Sequence, residues 1–94
     1  MGAEKIIENN IKKYLRTHGY LTYKIHVGQY GPEGFPDLLV VKHGITSYFE
    51  VKRPGEGPSP IQIFRLKELR QAGCIAKPVW SDVDVIRALK KGSM

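Results

Sequence analysis

The chain has 94 residues, 41% apolar and 26% charged, which is the make-up of one globular domain with a single core. Its one cysteine, Cys74, excludes an internal disulfide and a cysteine-rich zinc centre and favours a reducing compartment. Fifteen Lys and Arg against nine Asp and Glu leave a charge of +6, which points to a polyanion, nucleic acid foremost. No apolar run is long enough to span a bilayer, and the N-terminus enters a charged segment rather than a signal peptide. The expected location is therefore cytoplasmic, with no membrane partner.

Glu4 to His18 reads as a helix, with Ile7, Ile11, Leu15 and His18 at helical spacing and Gly19 as its stop. Leu21, Tyr23, Ile25 and Val27 alternate with Thr22, Lys24 and His26, the pattern of a half-buried strand with its apolar residues inward. Gly28 to Pro36, rich in Gly and Pro, is a loop, in which Tyr30 either stacks on a base or fills the core. Two β-type runs follow, 37–42 and 45–52, separated by His43-Gly44. They predict a tight hairpin in which Lys42 faces Ile45, Val40 faces Ser47 and Asp37 faces Glu50. Leu38 to Val41 is apolar on both faces, so this strand should be central, with helices on both sides.

Arg53 to Ser59 is a second loop. Ser59, Pro60 and Gln62 form a helix start with a capping box, and that helix ends near Gly73. Cys74 to Trp80 is a short strand, for which Pro78 suggests a sheet edge or a strand end. Ser81 to Asp84 caps a last helix carrying Val85, Ile86 and Leu89. The element order is α-β-β-β-α-β-α in one domain over 1–94, with 91–94 a frayed tail.

The hairpin carries the chemistry. Carboxylates directly opposite on paired strands have Cβ atoms about 5 Å apart, where like charges repel. A hard divalent ion such as Mg2+ or Mn2+ between Asp37 and Glu50 removes that repulsion. Lys52, two residues beyond Glu50, shares its face. Two carboxylates and a lysine around a metal suit phosphodiester hydrolysis.

Gly34-Phe35-Pro36-Asp37 followed by Glu50-Val51-Lys52 resembles the signature of the PD-(D/E)XK nuclease superfamily, and the element order resembles its α-β-β-β-α-β core. Within it, Glu50-Val51-Lys52-Arg53-Pro54-Gly55, then Gly57-Pro58-Ser59-Pro60 and Gln62, resembles the virus-type replication-repair nuclease (VRR-NUC) family. So does Ala72-Gly73-Cys74-Ile75-Ala76 leading to Trp80-Ser81-Asp82-Val83. The resemblance runs from Glu8 to Leu89 and departs at Pro58, where the family pattern has an aliphatic residue. It implies a restriction-endonuclease-like α/β fold, a central mixed sheet flanked by helices, and a Mg2+- or Mn2+-dependent deoxyribonuclease. Asp37 and Glu50 would ligate the metal together with the Val51 carbonyl. Lys52 would activate water or stabilise phosphate charge, Gln62 would assist, and Glu8 would complete the acidic cluster. Single-domain phage-type relatives are associated with branched DNA, including four-way (Holliday) junctions, and hence with DNA repair. Paired cuts on a junction need two sites, so a homodimer is expected, with Trp80, Ile75 and the last helix as its surface. The host would be a bacterium or a phage-infected cell, with the protein at the nucleoid when bound to DNA.

Plainer readings compete. Asp37 after a proline also suits a turn cap, Gln62 a capping box, and Glu8 an i,i+4 pair with Lys12, with Glu4 as its substitute in the cluster. Lys12, Lys13, Arg16, Arg53, Arg65 and Arg70 either contact phosphates or are solvated, Arg53 being the best placed. His18 and His26 read as packed or solvated, His43 as a turn residue, Cys74 as a small buried residue, and Asp82 and Asp84 as helix-start acids. The alternative function is a nucleic-acid-binding module, or a subunit of a repair complex, that keeps the fold without the chemistry.

Overall fold

The computed structural model describes residues 2–26 and 31–92, residues 91 and 92 by backbone alone. Val27 and Tyr30 lie outside the described residues, as do 93 and 94 of the expected tail. The described elements are α1 (Ala3–Thr17), β1 (Leu21–Lys24), β2 (Leu38–Lys42), β3 (Ile45–Val51), α2 (Pro60–Gln71), β4 (Ile75–Val79) and α3 (Asp82–Gly92). The strands form one mixed sheet in the order β1-β2-β3-β4, antiparallel except for the parallel pair β3–β4.

The hairpin has the expected register: Lys42 pairs with Ile45, Val40 with Ser47, and Leu38 with Phe49. The cause is local. His43 and Gly44 both adopt positive φ, 54° and 77°, the backbone that a two-residue type I′ turn requires. The ladder stops at Leu38–Phe49, so Asp37 and Glu50 stand one step beyond it, at the end of the sheet. Pro78 sits on β4, an edge strand, where a missing amide leaves no ladder bond unmade.

Ile11 and Leu15 of α1, Leu38 and Val40 of β2, Phe49 and Val51 of β3, Val79 of β4, and Val85, Ala88 and Leu89 of α3 form the core. α1 and α3 thus cover one face of the sheet. α2 packs on β4, with Leu66 and Ala76 buried outside that core. This corrects two expectations. Over β2 a helix layer covers one face, and Leu39 and Val41 on the other are half-buried. On β1 the expected orientation is inverted: Leu21 and Tyr23 are 58% and 56% exposed, whereas Thr22 and Lys24 turn inward. Alternation shows which residues share a face, but the helices decide which face is covered.

His18 also departs from the predicted buried stripe: it is exposed, with Nδ1 2.9 Å from the Tyr14 carbonyl oxygen. Cys74 is half-buried and precedes β4. Ile75 is half-buried and packs against the core, while Trp80 is 37% exposed.

Candidate active site

The ends of β1, β2, β3 and β4 meet on one side of the sheet. Lys24 pairs with Leu38, the Ile25 amide donates to the Asp37 carbonyl (2.7 Å), and the Lys52 amide donates to the Val79 carbonyl (2.9 Å). Asp37 Oδ2 accepts a hydrogen bond from the Val51 amide at 2.9 Å, which fixes the carboxylate beside β3. Lys52 Nζ lies 3.8 Å from Glu50 Oε2. Asp37, Glu50, Val51 and Lys52 are therefore together, as the hairpin register predicts.

Their electrostatics are unusual. Glu50 is 4% exposed. Burial first, then a hydrogen bond with Asp37 and the Asp37 charge, push its carboxyl up to about 8, against the lowering effect of Lys52. Glu50 holds its proton far above the ordinary carboxylate range because burial and the adjacent Asp37 carboxylate both oppose its charge.

Glu8 is just as buried, at 2% exposure, but its surroundings are opposite. Lys24 Nζ lies 2.5 Å from Oε1, and Lys5 and Lys12 each lie 3.1 Å from Oε2. Burial alone would raise its pKa; the hydrogen bonds from Lys24, Lys5 and Lys12 outweigh that and hold it at about 2. Glu8 is thus the hub of a lysine cluster rather than the third member of an acidic one. Among the described residues no group of three or more His, Cys, Asp or Glu converges.

Lys24 joins the two regions, since its Nζ is also 3.9 Å from Asp37 Oδ1. Sequence reasoning missed it because the alternation of β1 assigned Lys24 to the solvent side. The available signal was its position on the strand beside the start of β2.

Other candidates are placed differently. Gln62 completes the predicted capping box: its Oε1 accepts from the Ser59 amide (2.8 Å), and its own amide donates to Ser59 Oγ (3.3 Å). The loop before Asp37 docks on this helix start. Gly34 has φ +74°, and a Cβ there would fall 2.8 Å from the Ile61 carbonyl atoms and 3.0 Å from the Gln62 nitrogen, so only glycine fits. Arg65 donates to the Glu33 carbonyl (2.8 Å) and pairs with Glu68, which holds the same loop. Lys12 points inward at Glu8, and Arg70 donates to the Ala76 carbonyl (2.7 Å). Lys13, Arg16 and Arg53 are exposed, Arg53 pairing with Glu56. Glu4, His26 and His43 are exposed. Ser81 and Asp84 cap α3, the Ser81 hydroxyl accepting from the Asp84 amide at 3.4 Å.

A pair of facing carboxylate oxygens fits a hard divalent ion that keeps several water ligands, and it does not fit a soft metal. The like-charge strain on Glu50 is what such a cation relieves.

No family sequence model and no curated protein matches the chain. Solved structures do. One, described as a VRR_NUC domain, superposes with a TM-score of 0.81 at 25% identity, covering 96% of this chain and 97% of that one. A second, described as a VRR_NUC domain protein, gives a TM-score of 0.75 at 16% identity over 93% of this chain and 84% of that one, a likeness of fold. With the carboxylate pair and lysine at the sheet end where the motif resemblance puts them, the chain has the fold of the VRR_NUC nuclease-type domains.

Proposed function

We propose that the protein is a metal-dependent DNA endonuclease that hydrolyses phosphodiester bonds, selective for branched DNA such as four-way junctions and working as a homodimer. The observation that carries this reading is the pairing of half-buried Asp37 with buried Glu50, with Lys52 Nζ 3.8 Å from Glu50, in a VRR-NUC fold. Asp37 and Glu50, with the Val51 carbonyl, would hold the ion. When bound, Mg2+ or Mn2+ supplies polarisation of the phosphodiester and a water of lowered pKa.

The protein's own groups do the rest. The Val51 amide orients Asp37 through its 2.9 Å hydrogen bond. Lys52 Nζ donates to the attacking water or to a phosphate oxygen as negative charge builds, and burial of the site strengthens that interaction. Gln62 steadies the neighbouring helix start, and its side-chain NH2 is the part of it left to serve the substrate. Glu8 acts indirectly by fixing Lys24 next to Asp37. Lys13, Arg16 and Arg53 contact phosphates, while Lys12 and Arg65 support the site from within. Paired cuts on a junction call for a second copy of the chain.

Incubation with labelled duplex, flap and four-way junction DNA, each with Mg2+, Mn2+ or EDTA, tests the reading. Expected is metal-dependent cleavage with the junction preferred and cut in pairs. Absence of cleavage under every metal condition overturns the enzymatic reading; equal cleavage of all three substrates overturns the branch preference. Light scattering should give about twice the 10.6 kDa chain mass.

A further inference from the structure

A groove of about 500 Å3 opens between β4 and α3, with Lys77, Arg87 and Lys90 on it and Trp80 in its wall. Its position follows from the sheet. Val79 is the register partner of Val51, so Trp80 leaves β4 where Lys52 leaves β3, on strands about 5 Å apart. The indole is anchored: Nε1 donates to the Glu56 carbonyl at 2.6 Å, tying the ring to the loop that carries Arg53. Its one polar atom is thereby satisfied, while 37% of the residue stays exposed. Asp84, the acid of the groove, accepts from the Trp80 amide at 2.8 Å and so serves the backbone. The basic residues Lys77, Arg87 and Lys90 are exposed. The volume lies within the ~300–1,000 Å3 of pockets that receive small ligands, enough for a nucleotide.

Cationic side chains flanking a fixed aromatic ring are the elements that hold unpaired nucleic acid, the cations tracking phosphates and the ring stacking on a base. We propose that this groove binds a single DNA strand as it leaves the cleavage site, with one base stacked on Trp80 and phosphates paired to Lys77, Arg87 and Lys90. The proposal rests on the nuclease reading for its direction but assigns a binding site outside the acidic pair. It gives a branched substrate something a plain duplex lacks, an unpaired strand at the point of cutting.

Trp80 is the only tryptophan of the chain, so its emission reports on this groove alone. The intact protein is titrated in EDTA with a ~12-nucleotide oligothymidine, within the range of known single-strand site sizes, and with a blunt hairpin duplex, with fluorescence anisotropy of the labelled DNA in parallel. Expected is saturable quenching by the single strand and much less by the duplex. Lys77→Glu with Arg87→Glu should weaken single-strand binding about tenfold or more and reduce the salt slope by about two. Trp80→Leu should weaken it about tenfold, and Trp80→Phe far less. Anisotropy that shows binding while Trp80 emission and the double charge reversal change nothing overturns the groove and leaves the nuclease reading standing. Quenching by the single strand in a protein that cuts no DNA supports the groove and overturns the nuclease reading. No binding to either DNA overturns both.

Discussion

Glu8 and Glu50 are two glutamates buried to the same degree, 2% and 4% exposed, at the same end of the sheet, yet one is held at about 2 and the other pushed to about 8. Burial opposes ionisation in both. The difference lies in the partners: three lysines around Glu8, a second carboxylate beside Glu50. Glu8 strengthens the fold by being charged, whereas Glu50 weakens it. A like-charge pair kept in spite of that is where function is expected.

Abolishing the Glu50 side of this contrast should have the largest effect. Glu50→Gln and Asp37→Asn should each lower metal-dependent cleavage by about 1,000-fold or more, the upper scale for losing a group that stabilises transition-state charge, while DNA binding persists. The same Glu50→Gln change should raise stability at pH 8 by about 1–3 kcal/mol, because it removes a buried like charge. Thermal melts at pH 5 and pH 8 check the sign. The folded state binds the Glu50 proton more tightly than the unfolded chain does. Its penalty is therefore absent below the ordinary carboxyl value of 4.5 and grows as pH rises towards about 8. A variant that cleaves normally, or that is less stable than the parent at pH 8, would contradict this account.

Next in size, Lys52→Ala should slow single-turnover cleavage about 100-fold with binding nearly intact, since the ammonium faces developing phosphate charge. An equal loss in binding and rate would instead make Lys52 a ground-state contact.

The Glu8 side should respond in stability. Glu8→Gln removes the anion that compensates Lys5, Lys12 and Lys24. The depressed pKa corresponds to about 3 kcal/mol; because Lys5 is half-exposed and screened, about 2 kcal/mol is expected at pH 7. Here the usual acid sign applies: the contribution is full above 4.5 and is lost as pH falls towards about 2. Urea denaturation at pH 7 and pH 2.5 should show the parent and the variant converging at the lower pH. A difference that persists there would assign the effect to packing.

How much of this could be read in the sequence depends on how local the cause is. The hairpin register follows from His43-Gly44 alone, and it carries Asp37, Glu50 and Lys52 into place. The α2 start is equally local, since Ser59, Pro60 and Gln62 cap within one turn. The Glu8 cluster is not local in this sense. Lys12 is visible at i,i+4, but the shortest contact comes from Lys24, sixteen positions away on a strand whose covered face the alternation cannot identify. Leu21 and Tyr23 drew the inward assignment by hydrophobicity, yet α1 and α3 cover the side that carries Lys24. Trp80 and the groove beside it depend on the parallel pairing of β3 with β4, which is set by the crossover through α2.

The smallest effect tests whether the two glutamate regions are separate at all. Lys24 is 2.5 Å from Glu8 and 3.9 Å from Asp37, so it touches both. Lys24→Met should destabilise the fold through Glu8 in any case. The informative quantity is its coupling to Glu50→Gln in a double-mutant cycle read by denaturation at pH 8. Distant, independent sites add to within ~0.5 kcal/mol. Removing Lys24 takes a cation away from Asp37, so the charged pair should be harder to sustain, and Glu50→Gln should then stabilise more than it does in the parent. A coupling of about 1 kcal/mol is expected, modest because Lys24 is partly exposed and its contact with Asp37 is long. Additivity within error would make the lysine cluster a purely structural neighbour. A coupling of the expected sign would make it the counterweight that lets two carboxylates stand side by side before any metal arrives.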